Sequence, residues 1–272
     1  MNVRRLGAID IGSNSVRLLI TDVLDYNGRA VFKKDSLIRI PLKLGEDTFS
    51  TGYISEQKKE KLAILMQSFR GLIQVNDVEI WRACATSAIR EASNAQEVLE
   101  YVVAKSGIEI DVIDSKEEAR FILTNRIDEL LEENRVYIYT DVGGGNTELI
   151  IFYQNKEIAS ESFKLGTIRS LPLEEERAEW DRMKNWLTEH SKDYIKVSLI
   201  GSGGNINKLD SLLRRSGRIR REELVSFAAK MRKMSYEERL VNLKINLNRA
   251  EVILPAIGIY LKVMKLARAL VI

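Results

Sequence analysis

The chain has 272 residues, 30% of them charged, yet the opposite charges nearly cancel to a formal net charge of +3. With that balance nothing global demands a nucleic-acid or membrane partner, and any anion preference must be local. A single cysteine excludes an internal disulfide and fits a reducing compartment, and with only one histidine beside it a zinc or iron site would be starved of ligands, so an expected metal is a hard, oxygen-bound Mg²⁺ or Mn²⁺.

The N-terminus passes through Arg4 and Arg5 into a strand without an apolar leader, and no apolar run reaches membrane-spanning length, so a cytoplasmic location is expected. Ala8–Ile20 reads as strand, tight turn and strand, and an Asn27-Gly28 turn leads into further strand text over 29–43. Ser55–Asn76 carries Leu62, Ile64, Leu65, Phe69, Leu72 and Ile73 at helical spacing, with Ser55 as N-cap. Val78–Cys84 reads as a strand, Ala85–Ser93 as a turn and helix start, Ala95–Lys105 as a helix and Ile108–Ile113 as a strand. Ser115–Glu133 is predicted as a helix opened by a capping-box pair, Ser115 and Glu118. Val136–Tyr153 reads as two antiparallel strands around a glycine turn. A helix over Ala178–Ser191, a strand over Lys196–Ile200 and the turn Gly201-Ser-Gly-Gly-Asn205 follow. Glu222–Ile272 reads as two or three helices, with a turn near Lys233–Tyr236 and a break near Pro255.

The organising feature is an internal repeat. Ala8–Ile20 lies over Tyr139–Ile151 without a gap, matching Asp10 to Asp141, Gly12 to Gly143 and Leu18 to Leu149, at an offset close to half the chain. The expectation is an α/β chain of two duplicated domains, 1–124 and 125–272, with two phosphate loops facing each other across a cleft. One cradle holds Asp10, Ser13 and Asn14; the other holds Asp141, Gly143, Gly144, Gly145, Asn146 and Thr147. Glycines without Cβ atoms let backbone N–H groups point at an anion, and a strand-end aspartate can reach a metal ion or its water shell. Glu148 stands where the first copy has Arg17, an asymmetry that gives one loop a metal ligand and the other a phosphate ligand. Arg90 can supply a bidentate contact to a phosphoryl oxygen. Glu118, Asp114 and Glu117 are all carboxylates able to serve as a base, and spacing alone does not choose among them. Arg214, Arg215, Arg218, Arg220 and Arg221 suit either a polyanion path or a solvated loop, while Cys84 reads as core and His190 as a helix-end residue.

At these residues the chain resembles the exopolyphosphatase and guanosine pentaphosphate phosphohydrolase family, within the superfamily of actin, sugar kinases and heat-shock chaperone ATPases. The matching text is Ala8–Leu18, Ala85-Thr-Ser-Ala-Ile-Arg90, Lys116–Arg120, Asp141–Leu149, Leu165-Gly166, Gly201–Gly204 and Arg249–Leu254, in the family's order. The resemblance implies two ribonuclease H-like (actin-like ATPase) domains with the active site in an inter-domain cleft. It implies Glu118 as the general base toward water, Asp141 and Glu148 as Mg²⁺ ligands, and Arg90 with the glycine loops as phosphate ligands. The implied substrates are inorganic polyphosphate, cleaved from chain ends to orthophosphate, or guanosine pentaphosphate, with no nucleic acid and no membrane involved and a homodimer left open. The rival from another class is a nucleotide or polyphosphate sensor without hydrolysis. Lys116-Glu117-Glu118 favours hydrolysis, because a pure binder has no need of a carboxylate beside an anionic ligand.

Overall fold

The computed structural model describes residues 3–123, 132, 135–154, 156–192, 194, 196–213 and 217–272. Its first elements are β1 (Val3–Ile11), β2 (Val16–Tyr26), β3 (Arg29–Ile40), α1 (Leu44–Thr51), α2 (Glu56–Val75), β4 (Ile80–Ala85), α3 (Ser87–Arg90), α4 (Ala95–Ser106) and β5 (Asp111–Val112). They are followed by α5 (Ser115–Leu123), β6 (Val136–Val142), β7 (Thr147–Tyr153), β8 (Lys156–Phe163), α6 (Leu173–Ser191), β9 (Val197–Ser202), α7 (Gly203–Leu213), α8 (Arg221–Arg232), α9 (Tyr236–Leu243) and α10 (Leu247–Leu266). The chain divides into two compact units between Asp114 and Ser115, ahead of the 124/125 boundary read from the sequence, so α5 goes with the second unit.

In the first unit the strand order is β3-β2-β1-β4-β5; β1 to β3 form an antiparallel meander, and β4 and β5 add parallel to β1. The second unit repeats the plan as β8-β7-β6-β9, with β9 parallel to β6. The meanders follow from short turns. Asn27 and Gly28 both take positive φ, 54° and 73°, the geometry that matches strand twist in a two-residue hairpin. Gly28 also donates its N–H to Asp25 Oδ1 at 3.0 Å.

Each unit has its own core. Ile9, Ile11, Val16, Leu18 and Ile20 of the first sheet pack with Leu62, Met66, Phe69 and Ile73, which recur on one face of α2. In the second unit Val136, Ile138, Leu149 and Ile151 pack with Leu209 of α7 and with Ile253, Ile257, Tyr260 and Met264 of α10. The opposite face carries Tyr137, Tyr139, Ile150 and Phe152, so β6 and β7 are buried on both faces and read as continuous apolar text. Among the described residues no helix is long and apolar enough to cross a membrane.

Some elements differ from the sequence reading. Helix α10 runs through Pro255 without the expected break. A proline inside a helix costs about 3 kcal/mol. Here Ile253, Ala256, Ile257 and Tyr260 are fully buried around it, and each large apolar side chain returns about 1.5–3 kcal/mol on burial, so packing wins. Helix α6 starts at Leu173, ahead of the expected Ala178, with Glu174, Glu175 and Glu176 in the first turn where the helix dipole favours them. Helix α1 was not foreseen, and the strand expected over Ile108–Ile113 shortens to Asp111–Val112. The parts of the Ser115–Glu133 prediction over 124–131 and at 133 lie outside the described residues, as do Arg214 and Arg215 of the arginine cluster.

Candidate active site

The second copy of the repeated turn joins β6 to β7 and is backed by a neighbouring loop, 165–169. Thr167 N–H donates to the Gly143 carbonyl at 3.0 Å and Ile168 N–H to the Gly144 carbonyl at 2.9 Å. Arg169 Nε donates to the Gly145 carbonyl at 2.6 Å. Thr147 returns the contact, its hydroxyl donating to the Leu165 carbonyl at 2.6 Å. Three successive glycine carbonyls are thereby committed to one side. No hydrogen bond among the described residues uses the N–H of Gly144 or Gly145, which leaves these donors for an anion. Gly166 makes the close approach possible, since a Cβ there would lie 2.2 Å from the Gly144 oxygen.

Two carboxylates stand next to this turn. Asp141 and Glu148 are directly paired across β6 and β7, with Ser202 beside Asp141 on β9 and Ser162 beside Glu148 on β8. Register partners share a face, so Ser162, Glu148, Asp141 and Ser202 form one row across the sheet. Glu148 is buried, and Ser162 Oγ donates to its Oε1 at 2.8 Å. Asp141 lies against the N-terminus of α7, where a Cβ on Gly203 (φ +86°) would meet its Oδ1 at 2.6 Å. Like charges set directly opposite one another destabilise a sheet, and a divalent cation between them removes the penalty. Among the described residues no cluster of three or more His, Cys, Asp or Glu side chains is present. A pair of carboxylates is the donor set of a cation that keeps waters and phosphate oxygens in its other positions, which fits Mg²⁺ and not a structural zinc. The same charge reaches buried phenols. Burial and then Asp141 push Tyr139 up to about 12, against a hydrogen bond with Ser202, and burial and Asp141 raise Tyr260 well above the usual range.

Helix α7 opens on the third glycine turn. Asn205 Nδ2 donates to the Val142 carbonyl at 2.9 Å, and Arg249 of α10 donates to Asn205 Oδ1. The guanidinium lies over Gly204, where a Cβ would sit 2.8 Å from Nη2. Glu118 is half-buried on α5, which packs against β7 and β8, the strands that carry Glu148 and Ser162.

The first unit repeats the backing device in backbone alone. Gly45 N–H donates to the Ser13 carbonyl at 2.9 Å and Lys43 N–H to the Asn14 carbonyl at 3.1 Å, while Gly12 N–H closes the turn on Ser15 as Gly143 N–H does on Asn146. Ser13 is buried with its hydroxyl 2.9 Å from that of Ser87, which ties the turn to the start of α3. Asn14 Oδ1 is buried without a hydrogen-bond partner, an acceptor that a ligand or water would satisfy. Arg90, at the end of α3, donates to the Ile113 carbonyl at 2.7 Å. Here the sheet row reads Arg39, Arg17, Asp10 and Cys84, so arginines replace Glu148 and Ser162. Arg17 pairs with Asp10 at 3.0 Å. Burial raises the Asp10 carboxyl and Arg17 opposes it; with 48% of that side chain open to solvent, much of the burial effect is screened. Burial and then the Arg17 charge lower Arg39. Cys84 is half-buried on the Asp10 row and not in the core.

The structure gathers Asp10, Ser13, Asn14 and Arg90 at one end of the first sheet, and Asp141, Gly143–Thr147 and Glu148 at one end of the second. Sequence reasoning missed the parts played by Ser162, Arg169, Asn205 and Arg249. Leu165-Gly166 and Arg249 stood within the matching family text but had no stated function, because only spatial contacts give them one. In the arginine cluster, Arg220 caps α8, its N–H donating to Glu223 Oε2 at 2.8 Å, while Arg218 is exposed.

The class of protein is thus one with a duplicated, actin-like α/β fold that sets a backed glycine turn beside a pair of carboxylates. The model of the Ppx/GppA phosphatase family matches residues 36–269, and the chain belongs to that family. The solved PPX-GPPA enzyme of Aquifex aeolicus is 26% identical, covers 100% of this chain and 95% of its own, and superposes with a TM-score of 0.75. Exopolyphosphatase 1 of Mycobacterium leprae is 34% identical over 146 residues, 53% of this chain and 42% of that protein. The guanosine-5'-triphosphate,3'-diphosphate pyrophosphatase of Aliivibrio fischeri is 29% identical over 161 residues, 59% of this chain and 31% of that protein. The chain spans well under two thirds of the length of these curated relatives.

Proposed function

We propose that the chain is a phosphoanhydride hydrolase that releases orthophosphate from the ends of inorganic polyphosphate. The observation that carries this reading is the glycine turn with its carbonyls tied back, set beside the Asp141–Glu148 pair. Asp141 and Glu148 hold Mg²⁺, which when bound neutralises phosphoryl charge and orients the phosphate oxygens. The Gly144 and Gly145 N–H groups, with Asn146 and Thr147 shaping the turn, bind phosphate oxygens in the second unit. Asp10, Ser13, Asn14 and Arg90 serve phosphates from the first. Glu118 takes a proton from water as the water oxygen bonds to the terminal phosphorus and the bridging P–O bond breaks, its oxygen leaving with the shortened chain. Little covalent chemistry falls to the protein, so positioning and charge neutralisation supply most of the acceleration.

A second reading, hydrolysis of guanosine pentaphosphate, is favoured by the similarity to the Aliivibrio fischeri pyrophosphatase. The test is orthophosphate release from long-chain polyphosphate and from guanosine pentaphosphate in parallel, with and without Mg²⁺. Release should require the metal, and Glu118→Gln should retain substrate binding while losing turnover by about 10²–10⁴-fold. Near wild-type turnover in that variant would overturn the assignment of the base. The ratio of the two rates decides between the substrates.

A further inference from the structure

A directed chain of hydrogen bonds leads from loop 165–169 to Glu148. Arg169 Nη2 donates to Asn146 Oδ1 at 3.0 Å, Asn146 Nδ2 donates to Ser162 Oγ at 3.0 Å, and Ser162 Oγ donates to Glu148 Oε1 at 2.8 Å. Its sense is fixed by chemistry at both ends. A guanidinium can only donate and an ionised carboxylate can only accept, whereas the amide and hydroxyl between them can do either. With Arg169 on the Asn146 oxygen, the amide nitrogen must face Ser162, and the one hydroxyl proton of Ser162 is then free for Glu148. Without Arg169 the amide can reverse, take that proton for itself, and deprive the buried Glu148 Oε1 of its Ser162 donor.

We propose that Arg169 is a positioning residue that sets, through Asn146 and Ser162, the orientation of Glu148 and so the cation affinity of the Asp141–Glu148 pair. The proposal rests on the reading that this pair holds the metal. Arg169 is placed for the task by its second bond, Nε to the Gly145 carbonyl at 2.6 Å, which anchors the guanidinium to the same turn that carries Asn146. Outer groups of this kind orient metal ligands, and their loss weakens metal binding by about 10–100-fold.

The experiment measures Mn²⁺ binding by electron paramagnetic resonance of the free ion, alongside the Mg²⁺ dependence of kcat and KM. Arg169→Met and Ser162→Ala should each weaken Mn²⁺ binding about tenfold, the double variant no further, since both cut one chain. Arg169→Lys, which keeps a donor, should recover most of the affinity. A general packing defect would not be rescued by lysine and would lower Tm without a selective loss of Mn²⁺. Mn²⁺ binding that Glu148→Gln weakens but Arg169→Met and Ser162→Ala leave alone overturns this proposal alone. Losses that multiply in the double variant overturn it as well. Binding indifferent to Glu148→Gln overturns the cation assignment and this proposal with it.

Discussion

The tightest backbone contact in the second unit offers a sharp test of the site. In Gly166→Ala, the new Cβ would fall 2.2 Å from the Gly144 oxygen and 2.4 Å from the Gly145 carbonyl carbon. Real Cβ atoms essentially never approach closer than 3.0 Å, so one of the two loops must retreat by about 1 Å, and both neighbours are backbone, which cannot swing aside. The retreat moves the same carbonyls that accept from Ile168 N and Arg169 Nε at 2.9 and 2.6 Å. On the proposed phosphate-binding role of the turn, a displacement of about 1 Å costs on the order of 100-fold in rate. Overpacking of this kind costs about 1–3 kcal/mol in stability. In a unit of this size that lowers Tm by about 2–4 °C for each kcal/mol. The assay is orthophosphate release at a temperature well below the variant's melting point, with Tm read by calorimetry. Wild-type turnover with an unchanged Tm would show that loop 165–169 is not pressed against the glycine turn, and the account of how the turn is shaped would fall.

Other outcomes follow from the same structure. Gly71→Ala is the matched control, since a Cβ at this exposed position of α2 meets nothing within 4 Å; thermal denaturation should show a gain of about 0.5–1 kcal/mol, with activity untouched. Lys59 pairs with Glu56 at 2.8 Å and with Glu97, and these bonds push its amino group up to about 12. Because the folded value lies above the unfolded one of about 10.4, the stabilisation is complete below that pH and is lost as pH rises through about 12. Chemical denaturation across that window should show the loss, and Lys59→Met should flatten it.

Much of the fold was legible because it rests on local rules. The unbroken match of Ala8–Ile20 to Tyr139–Ile151 gave the duplicated meander, and Asn27-Gly28 gave its turn chemistry. The paired carboxylates were also legible, since Asp141 and Glu148 flank one short turn and pair across it. What escaped depends on partners distant in the chain. Nothing near Arg169 shows that its guanidinium meets Asn146 and Gly145, and nothing near Arg249 shows Asn205. Pro255 misled because a local rule, the missing N–H, was outweighed by the burial of its α10 neighbours Ile253, Ala256, Ile257 and Tyr260, while Pro255 itself lies on the exposed face.

Three consecutive glycines left to themselves would not form an anion site. Each peptide plane between them could rotate, presenting N–H at one moment and C=O at the next, and such a turn would welcome cations as readily as phosphates. In this protein that rotation is blocked from behind, because loop 165–169 holds the carbonyls of Gly143, Gly144 and Gly145. Which polar group the turn presents is thus set by the residues behind it and not by the glycines alone. A substitution at Gly166, which permits the close approach, or at Arg169, whose side chain holds the Gly145 carbonyl, would free the peptide planes even with Gly143, Gly144 and Gly145 in place.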